Sequence, residues 1–396
     1  MPGFELFGDL ERKEVNDVLD SGVLMRYGFD KVRKYNKSKE LEELLQERMQ
    51  VKHAQVVSSG TAALAVALMA AHINSGDHVI LPTFTFVASF EAILSVGAVP
   101  ILVDVDDTLG LNADAVEKAI TSKTKAVMAV HMCGSMTDLT PLKKLCLKYN
   151  LILIEDACQA IGGTWKKKPL GSIGDVGCFS FDYVKTITCG EGGAMITNNK
   201  KYYTKAEQFS DHGHDHLGVD RGADKHPIIG YNYRISELNA AVGVAQIKRL
   251  DHFLAIQKKH YSILEKVLKS VPQVTFRRVP KGGVQNYSFM NFFLSTKALT
   301  KKVHAAFARQ GIDSTFYWFD NNWHYHKKWD HLKLLKGLNN YATAQYDGLP
   351  NYAESDFSAS DAIMSRTISC LVKLSWTEEQ VQERAQKMVE IIKAAI

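Results

Sequence analysis

Short apolar runs alternate with helical patterns between residues 55 and 197. Seven runs have the length and near-continuous apolar character of strands that are buried on both faces of a sheet. They cover residues 55–59, 78–82, 99–105, 126–132, 151–156, 177–181 and 193–197. Four helical patterns separate the first five runs, after Gly60, Phe86 and Asn112 and from Thr140. This alternation predicts an α/β fold with a mostly parallel, seven-stranded sheet and helices on both faces.

The pattern changes after these strands. Residues 236–271 have helical character without a proline or a turn signal, which predicts one long helix leaving the first domain. Strand-like segments, a helix after Leu299 and a last helix capped by Thr377 follow. The sequence therefore predicts a large domain over residues 1–245 and a smaller C-terminal α/β domain over residues 246–396.

Composition and cysteine spacing predict a soluble protein whose cysteines are reduced. The 396 residues are 46% hydrophobic and 23% charged, as in ordinary globular enzymes. A net charge of +5 without long runs of like charge favours neither nucleic acid nor membrane as a partner. The first 25 residues do not have the organisation of a secretory signal, and no apolar stretch is long enough to span a bilayer. Six widely spaced cysteines form no C-x-x-C pair, so we expect a cytoplasmic protein.

The first candidate for chemistry is the run Ser-Ser-Gly-Thr-Ala-Ala-Leu at residues 58–64, which follows one strand and begins a helix. Gly60 lets the backbone approach a ligand, and the free N–H groups of a helix N-terminus suit a phosphate. The simpler interpretation is a helix cap by Ser59 or Thr61.

Two further candidates follow later strands. Asp156 stands at the carboxyl end of a strand, where open α/β sheets bind ligands, although a solvated strand end is an equally good interpretation. Lys185 lies between an apolar strand and a turn with three glycines around Glu191. A lysine that loses hydration there becomes nucleophilic, whereas a lone lysine is more often a surface residue. Together, a phosphate cradle, a carboxylate and a lysine are what a protein supplies to pyridoxal 5'-phosphate (PLP).

The order and spacing of these motifs resemble the DegT/DnrJ/EryC1/StrS family of sugar aminotransferases, which are fold type I PLP enzymes. The resemblance implies that PLP and its pyridoxamine form alternate during the cycle, with glutamate as the amino donor. It assigns the phosphate to Gly60, Thr61, Ala62 and Ser180. It also assigns ring stacking to Phe86, the pyridine nitrogen to Asp156, the phenolic oxygen to Gln159 and the covalent link to Lys185.

The same resemblance predicts a homodimer. Asn232 lies in a Gly-x-Asn-x-Arg motif whose asparagine reaches the phosphate in the neighbouring subunit, so the two active sites would be shared. Family members that dehydrate sugars carry histidine at the position of Lys185. Lysine at this position therefore favours transamination.

Within the family, three stretches are most similar to the branch that makes 8-amino-3,8-dideoxy-manno-octulosonate (Kdo8N) for lipopolysaccharide. They are EDACQAIGG, CFSFDYVKTITCGEGG and SDHGHDH. Such enzymes transfer the amino group to the C8 aldehyde of 8-oxo-3-deoxy-manno-octulosonate. The candidate substrate residues are Arg26, Tyr27, His212, Tyr317, Trp318 and His324. Arg26 is included because a guanidinium can bind a carboxylate with two hydrogen bonds, although a surface arginine is the commoner case.

Several alternatives stay open. A nucleotide-linked keto-hexose could be the acceptor of the same machinery, and a non-catalytic PLP-binding regulatory protein could share the fold. His212, His214 and His216 alternate but complete no recognised ligand spacing, so no metal is predicted. The aromatic stretch at residues 316–326 could also belong to the core or to a subunit interface. A Rossmann dehydrogenase is disfavoured because no Gly-x-Gly-x-x-Gly follows the first strand.

Overall fold

The computed structural model describes residues 2–336, 346 and 349–396. The helices of the first part of the chain are α1 (Asp9–Ser21), α2 (Lys37–Met49), α3 (Gly60–Ala70), α4 (Val87–Ser95), α5 (Ala113–Ala119), α6 (Leu139–Tyr149) and α7 (Lys200–Ser210). The strands of the same part are β1 (His53–Val57), β2 (His78–Pro82), β3 (Val99–Val103), β4 (Thr124–Val130), β5 (Ile152–Asp156), β6 (Thr164–Trp165), β7 (Lys168–Pro169), β8 (Val176–Ser180) and β9 (Gly193–Thr197).

The main sheet joins seven strands of the described chain in the order β1-β9-β8-β5-β4-β2-β3. Strands β8, β5, β4, β2 and β3 run parallel, while β9 is antiparallel to both of its neighbours, β1 and β8. Apolar clusters cover both faces of this sheet, with α3 and α4 on one face and α2 and α6 on the other. The predicted α/β class with a mostly parallel sheet is confirmed.

The predicted long helix over residues 236–271 is wrong in one respect, because the structure divides it. Helix α8 covers Glu237–Lys248 and helix α9 covers Leu250–Leu268. Between them, the N–H of Arg249 bonds the carbonyl of Gln246, three residues back. The Arg249 side chain donates to the Leu6 carbonyl and to Glu11 at 2.6 and 2.8 Å. These bonds to the N-terminal segment favour a break at a position that the apolar pattern cannot reveal.

The C-terminal part has its own sheet and core. Its remaining strands are β10 (Thr275–Phe276), β11 (Gly283–Val284), β12 (Phe289–Phe293), β13 (Thr315–Phe316) and β14 (Thr367–Leu371). Its remaining helices are α10 (Lys297–Arg309), α11 (Asp330–Lys333), α12 (Ser358–Met364) and α13 (Glu378–Ala395). Strands β10, β12, β14 and β13 form a second sheet, here named the C-terminal sheet, against which α9, α10 and α13 pack.

Local signals at the end of the chain are confirmed. Thr377 accepts from the N–H of Gln380, and the Gln380 side chain accepts from the N–H of Thr377, so the predicted cap of α13 is a complete capping box. The domain boundary at residues 245 and 246 stays a prediction. None of the helices in the described ranges is both long and apolar enough to cross a membrane.

Candidate active site

A cavity of about 360 Å³ lies at the carboxyl ends of β4, β5 and β8. Cavities of this size hold small organic ligands. The residues predicted from the sequence that line it are Gly60, Thr61, Phe86, Asp156, Gln159, Ser180, Lys185 and His324. Residues far apart in the chain therefore meet at the edge where open α/β sheets bind their ligands.

The N-terminus of α3 faces the end of β8 across this cavity. The Ser59 side chain accepts from the N–H of Ala62 at 3.0 Å, so the capping interpretation is confirmed for Ser59. The N–H of Ala62, which was predicted to bind the phosphate, is therefore already hydrogen-bonded to the cap. Within the described chain, the N–H groups of Gly60 and Thr61 have no acceptor, which leaves a site suited to an anion. A Cβ atom at Gly60 would lie 2.6 Å from the Cβ of Ser180. Glycine thus permits the helix to approach the serine hydroxyl.

Asp156 ends strand β5 and is only 5% exposed. Its Oδ2 accepts from the Ser89 hydroxyl at 2.7 Å, and its Oδ1 accepts from the N–H of Cys158 at 3.2 Å. The Ser89 hydroxyl also lies 2.6 Å from the Thr85 hydroxyl, one turn earlier at the start of α4. Two donors on different oxygens fix the plane of the carboxylate at the wall of the cavity.

Gln159 and Phe86 line the cavity together with Asp156. The Oε1 of Gln159 accepts from the N–H of Cys133 at 3.0 Å, which leaves the amide Nε2 free to donate at the cavity. Phe86 directly precedes α4 and is 38% exposed, so part of its ring is accessible at the cavity. Both placements agree with the roles that the family resemblance implies.

Lys185 lies on the turn that joins β8 to β9 and lines the cavity, and it is half-buried rather than deeply buried. The N–H of Gly3 donates to its carbonyl at 2.9 Å. Two residues earlier, the Tyr183 ring stacks on Phe4 with ring centroids 4.1 Å apart. The N-terminal segment therefore holds the turn that carries the lysine.

Trp323 and His324 also line the cavity. The His324 ring lies 5.3 Å from the ring of Phe86 and 4.3 Å from that of Trp318, and its Nδ1 is 3.3 Å from the Oδ1 of Asn321. Burial and the nearby Lys185 charge lower the pKa of His324 to about 3. The imidazole that faces the cavity is therefore neutral at physiological pH.

Arg26 and Tyr27 lie away from this cavity. The Arg26 Nη2 lies 2.5 Å from the Glu42 Oε1 in a buried ion pair, and burial raises the pKa of Glu42 to about 7. The Tyr27 hydroxyl accepts from the Gln55 amide at 3.1 Å, and its ring stacks on His216 at 4.2 Å. The guanidinium predicted to bind a substrate carboxylate is thus already engaged inside the protein.

The alternating histidines also lie outside the cavity lining. His212 is exposed, whereas the Nδ1 of His214 lies 3.2 Å from Asp224 and the Nε2 of His216 lies 3.6 Å from Asp211. Within the described ranges, no three or more His, Cys, Asp or Glu side chains are grouped so that they could hold a metal ion. The His214 and His216 rings therefore lie beside these two aspartates and not at the cavity.

Three other predicted residues are also absent from the cavity lining. Tyr317 and Trp318 are buried in the apolar core, where they donate to the Ser365 carbonyl at 2.9 Å and to the Ser369 hydroxyl at 2.7 Å. The aromatic stretch is therefore divided between core and cavity. Asn232 is exposed on the surface and does not line the cavity.

Three residues at or beside the cavity are further candidates that the motifs did not reveal. Ser89 follows Phe86 by three residues, a spacing that places both on one face of a helix, so the pattern could have revealed it. Trp323 precedes His324 in the aromatic stretch and was not singled out. The contribution of Cys133 comes from its backbone N–H, which has no side-chain signature in a sequence.

The chemistry of these groups fits PLP. The free N–H groups of α3 and the Ser180 hydroxyl supply donors for a phosphate, close together because no side chain separates them. An oriented carboxylate, a free amide donor and an accessible aromatic ring suit the nitrogen, the phenolic oxygen and the plane of a pyridine ring. Lys185 provides the amine.

Comparison with known proteins agrees with this fit. The model of the DegT/DnrJ/EryC1/StrS aminotransferase family matches residues 7–389. GDP-perosamine synthase of Escherichia coli O157:H7 is 40% identical over 67% of this chain and 70% of its own length. GDP-perosamine synthase of Vibrio cholerae is 37% identical over 74% of this chain and 75% of its own. The aminotransferase structure from Psychrobacter cryohalolentis has a TM-score of 0.83 at 24% identity, covering 98% of this chain and 97% of that one.

The match spans nearly the whole chain and includes the cavity and all the strands of the main sheet. Enzymes of this family are fold type I aminotransferases that use PLP and its pyridoxamine form. The chain belongs to the DegT/DnrJ/EryC1/StrS family and is a PLP-dependent sugar aminotransferase.

Proposed function

We propose that the amino acceptor of this enzyme is a nucleotide-linked keto-hexose. The support is the identity of 40% and 37% to two enzymes that make GDP-perosamine, as their names state, and so act on a sugar joined to a nucleotide. The substrate that the sequence favoured, 8-oxo-3-deoxy-manno-octulosonate, loses one of its supporting residues. Arg26, its candidate carboxylate ligand, is paired with Glu42 inside the protein.

The observation that carries the aminotransferase chemistry is the convergence of Lys185 and Asp156 on one cavity. The bound cofactor supplies an electron sink that allows an amino group to move between carbon atoms. Gly60, Thr61 and Ser180 bind its phosphate in this proposal. Asp156 stabilises positive charge at the ring nitrogen, and the Lys185 amine moves the proton at the substrate carbon.

A covalent label tests the role of Lys185. Reduction of the holoenzyme with borohydride followed by peptide mapping should place the cofactor on this residue, and a label on another lysine would contradict the assignment. Lys185→Ala should lower turnover at least 1,000-fold, since it loses both the nucleophile and the proton-transfer group. Lys200→Ala, at the start of α7 outside the cavity, is the matched control.

The octulosonate aldehyde stays a second candidate on one specific observation. Trp323 and His324, which line the cavity, belong to the stretch where this chain departs from the short loop typical of the family. A changed wall beside Lys185 is consistent with a changed acceptor. Neutral His324 offers an uncharged hydrogen-bonding group to such a substrate.

A direct comparison separates the two acceptors. The enzyme is first converted to its pyridoxamine form with glutamate, the proposed donor. In separate reactions it is then offered a nucleotide-linked 4-keto-hexose, carrying GDP or TDP, and the 8-oxo acid. The rate at which the cofactor's absorbance returns gives kcat/KM for each sugar. A higher value for a nucleotide sugar supports the proposal, whereas a preference of 100-fold or more for the 8-oxo acid, about 2.7 kcal/mol, would replace it with the second candidate.

A homodimer with shared sites is part of the same proposal. Asn232 lies on the surface beside Tyr231, which is 56% exposed, and near Ile229, which is 85% exposed. Exposed apolar side chains of this kind are typical of surfaces that bind another protein. We expect this segment to meet the phosphate end of the neighbouring cavity. A cytoplasmic location stays a prediction.

A further inference from the structure

One peptide group beside the cavity is hydrogen-bonded at both ends. The Arg277 Nη1 donates to the Met132 carbonyl at 2.6 Å. The N–H of Cys133 donates to the Oε1 of Gln159 at 3.0 Å. The Met132 carbonyl and the Cys133 N–H belong to the same peptide group. A continuous chain of hydrogen bonds therefore links a guanidinium at the end of β10 to the side-chain amide of Gln159.

Arg277 is unusual because it is 93% buried without an ion pair among the described residues. Its Nε donates to the Thr108 carbonyl at 2.5 Å, and its Nη2 has no acceptor within the described part of the chain. Burial lowers the pKa of Arg277 to about 10, which still leaves it charged at neutral pH. A buried charge is costly unless its bonds compensate for lost hydration, and here those bonds go to backbone carbonyls.

The turn that receives this charge has an uncommon backbone. Cys133 has φ 56° and Gly134 has φ 71°, so two successive residues are left-handed. A Cβ at Gly134 would lie 1.9 Å from the Asn286 Oδ1. The N–H of Asn286 donates to the Gly134 carbonyl at 2.8 Å, and its Nδ2 donates to the Gln159 and Ile161 carbonyls at 3.1 and 3.0 Å. The turn is held in this shape by residues of the C-terminal part.

We propose that Arg277 is a positioning residue that acts on the cofactor through the Met132–Cys133 peptide and Gln159. A charged donor on the Met132 carbonyl polarises the peptide and strengthens donation by the Cys133 N–H. That bond holds the Oε1 of Gln159 and leaves only its NH₂ group to face the ligand. This inference rests on the proposed function, in which Gln159 donates to the phenolic oxygen of the cofactor.

The relay has a consequence for proton affinity. A donor on the phenolic oxygen competes with the protonated nitrogen that joins Lys185 to the cofactor. When the amide donor is weakened, the phenolic oxygen accepts a stronger hydrogen bond from the protonated nitrogen. The nitrogen therefore loses its proton at a higher pH. Arg277 lies outside the cavity, and through this relay it lowers the pH at which the nitrogen between Lys185 and the cofactor loses its proton.

The test is the pH titration of the cofactor's visible absorbance in Arg277→Met holoenzyme. The expected result is a midpoint raised by roughly 0.5 to 1 pH unit, the size of one lost hydrogen bond, with PLP binding weakened about ten-fold. Arg278→Met is the matched control, because Arg278 is exposed and bonds Asp107 rather than the turn. An unchanged midpoint and an unchanged Kd for PLP in Arg277→Met would overturn the proposal.

A conservative variant covers the case in which Arg277→Met fails to fold. Arg277→Lys keeps the charge but can reach fewer carbonyls, so we expect a smaller rise of the midpoint. In a Gln159→Met background, the same lysine should add no further shift, and an additive shift would overturn the relay. If Gln159→Met alone leaves the midpoint unchanged, the proposed contact with the phenolic oxygen fails instead.

Discussion

Ser89 gives Asp156 its orientation, although it had no place in the motifs that identify the site. Ser89 is only 1% exposed, and its hydroxyl donates to the carboxylate at 2.7 Å. Because Ser89 lies in the first turn of α4, the helix that carries Phe86 at its start also fixes the carboxylate. The acid and the aromatic residue are therefore positioned by one element.

Ser89→Ala should slow transamination about ten-fold, because it removes a hydrogen bond to a charged group and lets the carboxylate rotate. Single-turnover absorbance measurements with glutamate would report the change. Ser95→Ala is the control, since within the described residues that hydroxyl bonds only the Ala92 carbonyl at the far end of the same helix. Equal rates in the two variants would show that Ser89 does not position Asp156.

The lowered pKa of His324 predicts that the stability of the cofactor-free protein depends on pH. Burial first, and then the Lys185 charge, lower its pKa from 6.5 to about 3. Because the folded-state pKa is depressed, the contribution of neutral His324 to stability is complete above pH 6.5 and is lost as the pH falls toward 3. In urea unfolding, His324→Gln should lose less stability over this range than the wild type. His252→Gln, at an exposed position on α9, should follow the wild type.

At the scale of elements, the contact between α3 and β8 depends on the absence of a side chain. Gly60→Ala places a Cβ 2.6 Å from that of Ser180, so α3 and β8 must move apart. We expect PLP binding to weaken at least ten-fold, measured by equilibrium dialysis, while the protein stays folded. Gly8→Ala, at the start of α1 where a Cβ meets no atom within 4 Å, should bind PLP normally.

The apolar pattern predicted the strands of the main sheet because both of its faces are buried. For example, the run at residues 193–197 coincides with β9, and the run at 78–82 coincides with β2. The pattern did not reveal the break at Arg249, which depends on bonds to Leu6 and Glu11 far away in the sequence. Periodicity records burial, whereas such a break follows from tertiary hydrogen bonds.

The candidate site was also only partly predictable from the sequence. Residues that carry a recognisable motif, such as Asp156 and Lys185, were found from the sequence and line the cavity. The substrate residues fared less well, since Arg26 turned out to be paired with Glu42 and Trp318 to be buried in the core. An arginine or an aromatic ring has several common environments, and residue type alone does not choose among them.

At the scale of the whole molecule, sharing of sites between subunits can be tested by mixing two inactive variants. Lys185→Ala and Asn232→Asp each damage a different contributor to a shared site. The second places a carboxylate near the phosphate, which adds repulsion to the loss of a donor. The mixture should recover up to about a quarter of wild-type activity at equal mixing, because half of its dimers are mixed and each of these has one intact site out of two.

The control for this experiment is each variant mixed with itself, with dimer exchange verified by mass spectrometry. Recovery in verified mixed dimers supports an asparagine that crosses the interface. If Asn232→Asp is inactive alone and the verified mixed dimers recover nothing, each site is built from a single chain.

The order of strands in the main sheet also bears on how the enzyme folds. Val57 pairs with Gly193 across a separation of more than 130 residues, and this pairing brings the start of α3 to the end of β8. The Lys185 turn, in contrast, joins the sequential neighbours β8 and β9. Local pairings form before distant ones, since closing a long loop costs entropy. The pairing of β8 with β9 therefore requires only a short loop closure, whereas the phosphate cradle requires a long one. Because PLP binds the completed cradle, it stabilises the folded chain over its unfolded forms.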